Sequence, residues 1–203
     1  MNESVVLRPR FGIVITCLVW AIVVVCCVAL FVQGDWRSAL HYLPVFLLAG
    51  YLCWMLFWAP AVRIGEDGVS LKNIARTRDV SWAAIRDVDT KYTLTLQTPA
   101  GRLSAWAAPA PSRYSGMRAA KADLSHPPET TYGPGNSVRL GDIPSSDSGL
   151  AALHVRRYWE RLRDAGTLAS MPLDGTGVVT RWHGTELIVL GALVLTTVAV
   201  QFL

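Results

Sequence analysis

The chain has 203 residues, of which 52% are apolar and only 17% charged, with a formal net charge of +4. That is too apolar for an ordinary soluble domain of this size. The mild positive charge suits an anionic membrane leaflet, and the lack of a basic stripe interleaved with aromatic residues argues against nucleic acid.

After a short amino-terminal stretch, residues 1–10, Phe11 to Val32 is a run of 22 residues without a charge, rich in Val, Ile and Leu. At 1.5 Å per residue such a run crosses a hydrocarbon core of about 30 Å, so a first transmembrane helix is predicted over 11–32. A cleaved signal peptide is the competing reading, since Arg8 and Arg10 form a basic flank. Against it, the run exceeds the roughly 7–15 apolar residues of a signal core, and no small-x-small cleavage site follows. Val24-Val25-Cys26 also lacks the small residue that precedes a lipidated cysteine. A second membrane helix is predicted over 43–62, with Pro44 at its start, Pro60 at its end, and Tyr42, Trp54 and Trp58 at the interfaces. Gln33 to Tyr42 is too short for a domain, so the two helices read as a hairpin.

Arg63 to Trp106 reads as short antiparallel strands. Val62 to Gly65 and Val69 to Asn73 are joined by Glu66-Asp67-Gly68, where Asp-Gly supplies a left-handed turn backbone. Arg78 to Ser81 is a further strand, Trp82-Ala83-Ala84-Ile85 a compact turn with two apolar anchors, and Arg86 to Asp89 leads into Lys91. Tyr92, Leu94 and Leu96 alternate with Thr93, Thr95 and Gln97, which puts the first three on a core face. Thr98-Pro99-Ala100-Gly101 then turns the chain, returning Arg102 to Trp106 antiparallel. Such a sheet leaves an apolar face that something must cover.

Residues 108–147 change character, with Pro109, Pro111, Pro127, Pro128, Pro134 and Pro144 among many Gly, Ser and Thr. They read as a long inserted loop in which Val138-Arg139-Leu140 could add a short strand. The cover follows: Ala151, Val155, Tyr158, Trp159 and Leu162 form one helix stripe, with Ser146, Asp147 or Ser148 to cap its start and Gly166 to end it. Residues 167–184 read as a connector, with Val178-Val179 touching the sheet. A third membrane helix is predicted over 185–203, collared by Arg181, Trp182 and Glu186; its apolar core, Leu187 to Leu203, is at the short limit for a span. A buried helix of the soluble domain competes there, and the missing polar face favours lipid.

Basic residues set the orientation. Arg8 and Arg10 precede the first helix, Arg63, Lys72, Arg76 and Arg78 follow the second, Arg163 and Arg181 precede the third, and the first connecting loop has only Arg37. This predicts a multi-pass cell-membrane protein with its amino terminus and domain cytoplasmic and its carboxyl terminus outside. Cys17, Cys26, Cys27 and Cys53 all fall in the first two spans and read as packing residues.

Glu66-Asp67-Gly68-Val69, Asn73 with Arg76-Thr77-Arg78, Trp82 followed by Ile85 and Val88, and Tyr158-Trp159-Glu160-Arg161 together give a family resemblance. The chain resembles the bacterial pleckstrin-homology-like (PH) domains of actinobacterial membrane proteins, the low-molecular-weight protein antigen 6 type. The resemblance covers Ala61 to Ala107 and, more loosely, Ser146 to Asp164. It implies an α+β domain over 63–166, a PH-like antiparallel β-roll of five to seven strands capped by one carboxy-terminal helix and attached to three transmembrane helices. No catalytic residues are implied, and Gly68, Trp82, Ile85 and Trp159 are the fold-defining positions.

The residues themselves point the same way. His41, His126, His154 and His183 have no metal-ligand spacing, and no cofactor loop is present, so neither metal nor cofactor is expected. Residues 63–181 hold 16 Lys and Arg against 12 Asp and Glu. A phosphate-binding hairpin is disfavoured because Glu66 and Asp67 would repel the anion. Lys72, Arg76 and Arg78 are therefore the candidate lipid-headgroup contacts. Trp106, Arg156, Arg157, Arg161 and Arg163 are the candidate partner contacts. The expected function is a membrane-anchored, non-enzymatic protein-interaction or scaffold module, with an anionic-lipid or envelope-state sensor as the alternative and an enzyme the least supported reading.

Overall fold

A computed structural model of the chain describes residues 4–32, 34, 36–111, 142–143, 146–171 and 175–202. It divides into two compact units, one made of Met1–Pro9 with Pro60–Arg181 and the other of Arg10–Ala59 with Trp182–Leu203.

The first unit carries two antiparallel-paired sheets rather than the single meander expected. One has five strands in the order β1-β2-β3-β4-β8, and the other three in the order β5-β6-β7. β1 (Val5–Leu7), β2 (Ala61–Ile64), β3 (Gly68–Lys72), β4 (Arg76–Ser81) and β8 (Val178–Trp182) form the first. β5 (Asp87–Asp89), β6 (Thr93–Thr98) and β7 (Gly101–Pro109) form the second. Both outer strands of the larger sheet come from outside the expected domain limits: β1 from the amino-terminal stretch and β8 from the supposed connector. β1 pairs with β2 through Val5↔Ile64 and Leu7↔Val62, so it adds two apolar side chains to the inner face. The β2–β3 hairpin forms as expected, but Gly68 is needed for a different reason. Its φ of 157° is positive yet far from the left-handed turn value, a conformation that L side chains rarely adopt, and a Cβ there would also collide with the carbonyl oxygen of Val80 on β4.

Inner positions alternate cleanly. Val62, Leu71, Val80, Leu94 and Leu96 are fully buried and share one core with Leu103, Ala105 and Ala107 of β7. Tyr92 departs from the expected core face: it is 77% exposed. It lies in the bend before β6, where strand alternation no longer applies, and its carbonyl accepts from the Ala110 amide. At the start of β6 the register with β7 shifts, and the Thr93 hydroxyl fills the irregularity by reaching the carbonyls of Ala105 and Ala108. Asn73, in the β3–β4 turn, ties the two sheets together. Its Nδ2 donates to the Ser104 carbonyl at 2.9 Å and its Oδ1 accepts from the Trp106 amide at 2.8 Å. Replacing Asn73 with alanine removes both bonds and should cost about 1–2 kcal/mol, read as a shift in the urea midpoint with an unchanged slope.

Helix α3 (Asp147–Asp164) covers the roll. Ser146 caps it by accepting from the Gly149 amide at 3.0 Å, and Gly166 leaves it in the left-handed conformation at φ 70°. Ala151, Ala152 and Val155 are buried with Ala105, Ala107 and Ala108 in the core, so small residues on both elements let helix and sheet approach closely. Gly149 allows a separate close approach, to the segment entering the helix, since a Cβ there would strike the backbone of Ile143. A single turn, α4 (Thr167–Ser170), follows. Most of the expected insertion over 108–147, with Val138-Arg139-Leu140 and His126, lies outside the described residues, although β7 runs on to Pro109 and so claims its first two positions.

The second unit contains the apolar helices. α1 (Arg10–Val32) is long and apolar enough to cross a membrane, with a mean hydropathy of 3.1. α2 (Trp36–Cys53) continues as a wider turn over Trp54–Trp58, and together Arg37–Trp58 has a mean hydropathy of 1.7. The second helix therefore starts seven residues before the expected position 43 and takes Pro44 into its interior. It also ends earlier than expected, because Ala61 and Val62 belong to β2. Gly12 packs on the Phe57 backbone, the Thr16 hydroxyl donates to the Gly12 carbonyl, and Cys53 lies 3.9 Å from that hydroxyl. α5 (Gly184–Val200) is shorter, at 17 residues, and the Tyr51 hydroxyl of α2 donates to its Glu186 carbonyl at 3.0 Å. All four cysteines are free thiols.

Candidate functional site

α3 carries the expected partner-contact arginines, but the four do not share a surface. Successive residues on a helix point about 100° apart, so Arg156 and Arg157 cannot face the same way. Arg157, Arg161 and Arg163 are exposed. Arg156 is only 6% exposed and turns inward. There its guanidinium bonds the Asp142 carboxylate at 2.7 Å and the Val88 carbonyl at 2.8 Å, and the Thr90 hydroxyl donates to the same Asp142 oxygen at 2.7 Å. Arg156 is thus removed from the candidate contacts and becomes a buried fastener between α3, the end of β5 and the segment entering the helix.

Two of the exposed arginines, Arg161 and Arg163, are held rather than loose. The Arg161 guanidinium lies 5.5 Å from the Tyr158 ring centre and its Nε donates to the Arg157 carbonyl. Arg163 sits 5.6 Å from the Trp159 ring centre and pairs with Asp164 at 3.1 Å. Trp106 is also exposed, at 53%, but on the other side of its sheet from α3, because its neighbours Ala105 and Ala107 face the helix. It sits in an outer row with Ser104 and Arg102.

Strand register also separates the candidate lipid contacts. Leu71 pairs with Arg78, so Arg78 and Arg76 lie on the inner-facing side at the margin of the core. Burial first, and then the Arg76 charge, push the Arg78 guanidinium below its ordinary pKa. Lys72 pairs with Thr77 and falls on the opposite side, with Ser70 and Asp79. The three cations therefore do not converge on one phosphate.

The remaining fold-defining residues close the roll. Trp82 is fully buried, its ring stacks on Tyr158 of α3 at 4.7 Å with 13° between planes, and its Nε1 donates to the Gly65 carbonyl at 3.0 Å. Ile85 is buried beside it in the same core, and Trp159 packs against that core from α3. Residues 59–158 match the family model of the bacterial PH domain. This part of the chain is a PH-like domain. Neither the curated proteins nor the solved structures gave a match to the chain. The match stops short of β1 and β8, which the PH-like domain nevertheless holds in its larger sheet.

At the β2–β3 turn of the PH-like domain, Glu66 and Asp67 are both exposed, which keeps negative charge where a headgroup phosphate would have to enter. An open groove of about 510 Å³ crosses the same end of the larger sheet, over Ser4, Gly65, Gly68, Ser81 and Gly177. Its rim mixes Arg63 with Asp67, and Asp79 is paired to Arg181 at 2.6 Å, so it selects no charge. Among the described residues, no three His, Cys, Asp or Glu side chains gather to hold a metal ion. His154 is half-buried on α3, three and seven residues before Arg157 and Arg161. Burial, then the charges of Arg157 and Arg161, lower its pKa. The folded state therefore binds this proton less well than the unfolded chain does. The resulting stability is present above about pH 6.5 and is lost as pH falls through the lower folded value. His154→Asn should flatten the thermal midpoint between pH 7.5 and 5.5 relative to the parent chain.

Sequence reasoning missed Asp142 and Thr90, which carry no motif, and named Asn73 only as a strand end and within the family resemblance, not as a tie between sheets. Each matters through a partner distant in sequence.

Proposed function

We propose that the protein is a membrane-anchored, non-enzymatic interaction module whose PH-like domain is presented to a protein partner at the cytoplasmic face of the cell membrane. The observation that carries this reading is the pairing of β1 with β2. These strands flank α1 and α2, so the residues just before the first apolar helix and just after the second share one compartment, and the helices between them cross the bilayer an even number of times. β8 belongs to the same sheet and leads directly into α5. We read α5 as a third crossing, with the carboxyl terminus outside. The excess of arginine near Arg8, Arg10 and Arg63 over the lone Arg37 in the first turn of α2 favours a cytoplasmic domain. Glu66 to Val69, Arg76 to Arg78 and Tyr158 to Arg161 align the protein with the actinobacterial antigen 6 type. Arg157, with Arg161 and Arg163 prearranged on aromatic rings, and Trp106 on the other side are the surfaces available to a partner. Tethering at the bilayer raises the effective concentration, so even a weak contact there would be populated.

Two measurements test this. Arg37→Cys should react with a membrane-impermeant maleimide from outside intact cells while a cysteine at Arg63 does not; reversed labelling refutes the orientation. A photocrosslinking residue at Arg161 or Trp106 in native membranes should capture a discrete protein. Crosslinks to lipid alone would refute the docking role.

A further inference from the structure

We propose that the cleft between β5 and α3 is a socket for a carboxylate carried by an acidic side chain of a protein partner. The cleft encloses about 110 Å³ and is lined by Ile85, Arg86, Asp87, Val88, Arg156 and Trp159. Its two positive groups are Arg86 and Arg156, the latter already paired with Asp142. Ile85 and Val88 are buried apolar walls, suited to the methylenes of a Glu or Asp. The Trp159 indole N–H is buried and has no hydrogen-bond acceptor among the described residues. Such a donor, kept from water and left unpaired, is costly, and an incoming acceptor removes the cost. The guanidinium of Arg156 lies at the back, fixed by Asp142 and the Val88 carbonyl, while Arg86 is exposed at the mouth. Arg163 lies over the Trp159 ring, with its charge shared by Asp164.

The one acid in the lining is already engaged. Asp87 accepts from the Val88 amide at 2.8 Å through one oxygen and from Gln97 Nε2 at 2.9 Å through the other, so its charge is drawn towards β6. An indole N–H beside guanidinium forks suits a planar carboxylate, which accepts several donors at once. The volume suits one short side chain rather than a phospholipid headgroup with its glycerol.

This inference rests on the interaction role proposed above and names the chemistry of the partner. Its test uses the full-length protein in nanodiscs of zwitterionic lipid, labelled with ¹⁵N at tryptophan, with the Trp159 indole resonance assigned by its loss in Trp159→Phe. An acetylated hexaglutamate peptide should move that resonance downfield and slow its exchange with water, and hexaglutamine should not. Arg86→Gln, at an exposed position, should weaken the apparent affinity about tenfold, as loss of one charge-assisted bond does. An unmoved resonance, an equal response to hexaglutamine, or an unchanged affinity in Arg86→Gln would each overturn the socket. A response to vesicles containing anionic lipid but not to the peptide would overturn it in favour of a headgroup. If the socket fails while the Arg161 crosslink still captures a protein, the interaction role stands without it; if both fail, both are wrong.

Discussion

Arg156→Met should destabilise the PH-like domain by about 3–5 kcal/mol, the usual cost of stranding one member of a buried ion pair. The Asp142 side chain is 2% exposed and that of Arg156 7%, so neither can turn to water when its partner is removed. Arg156 also satisfies the Val88 carbonyl, and its loss leaves that acceptor with one bond fewer. Arg156→Lys should fall between parent and methionine variant, because a single ammonium cannot span both acceptors as the guanidinium fork does. The informative comparison is the double variant Asp142→Leu with Arg156→Met. It removes both charges, leaves the Thr90 hydroxyl short of an acceptor and the Val88 carbonyl short of a donor, and should still be more stable than Arg156→Met alone. Urea unfolding of the detergent-solubilised protein, followed by tryptophan fluorescence, measures all three. A double variant no better than the single would mean that packing around Arg156, and not its charge, holds α3 in place.

Which parts of the fold could be read from the chain depends on how local their causes are. The α3 boundaries were legible because Ser146 and Gly166 act within one turn of the helix they delimit. Leu94 and Leu96 were legible because alternation inside a strand needs no knowledge of its neighbours. Tyr92 shares their parity but not their strand, and parity alone does not show where a strand begins. β1 was hidden for another reason: Val5-Val6-Leu7 runs almost directly into an apolar helix, and its pairing partner lies beyond two such helices. Lys72 and Arg78 looked like neighbours, yet the side each occupies depends on the register across the Asn73 turn. The same holds for Arg156, which is indistinguishable in composition from Arg157 until Asp142 is brought beneath it. The candidate surface was therefore legible as a helix bearing arginines, and illegible in which of them reach solvent.

Trp82→Ala should be comparably damaging, at about 3–5 kcal/mol, and its damage should appear in two places at once. The side chain is fully buried, so its removal leaves a cavity the width of an indole that the strands around it cannot close. The ring is also the stacking partner of Tyr158, and its N–H holds the Gly65 carbonyl at the β2–β3 hairpin. Trp82→Phe should recover part of the packing while leaving the Gly65 carbonyl without its donor, a loss of about 1 kcal/mol from the hydrogen bond alone. Hydrogen exchange separates these contributions. In Trp82→Ala, amides of both the hairpin and α3 should lose protection, whereas in Trp82→Phe the hairpin should lose more than the helix. Protection of α3 that survives Trp82→Ala unchanged would show that the alanine interface of Ala105, Ala107, Ala151 and Ala152 suffices to seat the helix. The Arg157 and Arg161 surface would then be positioned without the tryptophan. Joint loss would instead make Trp82 the link through which the hairpin and that surface are held in register.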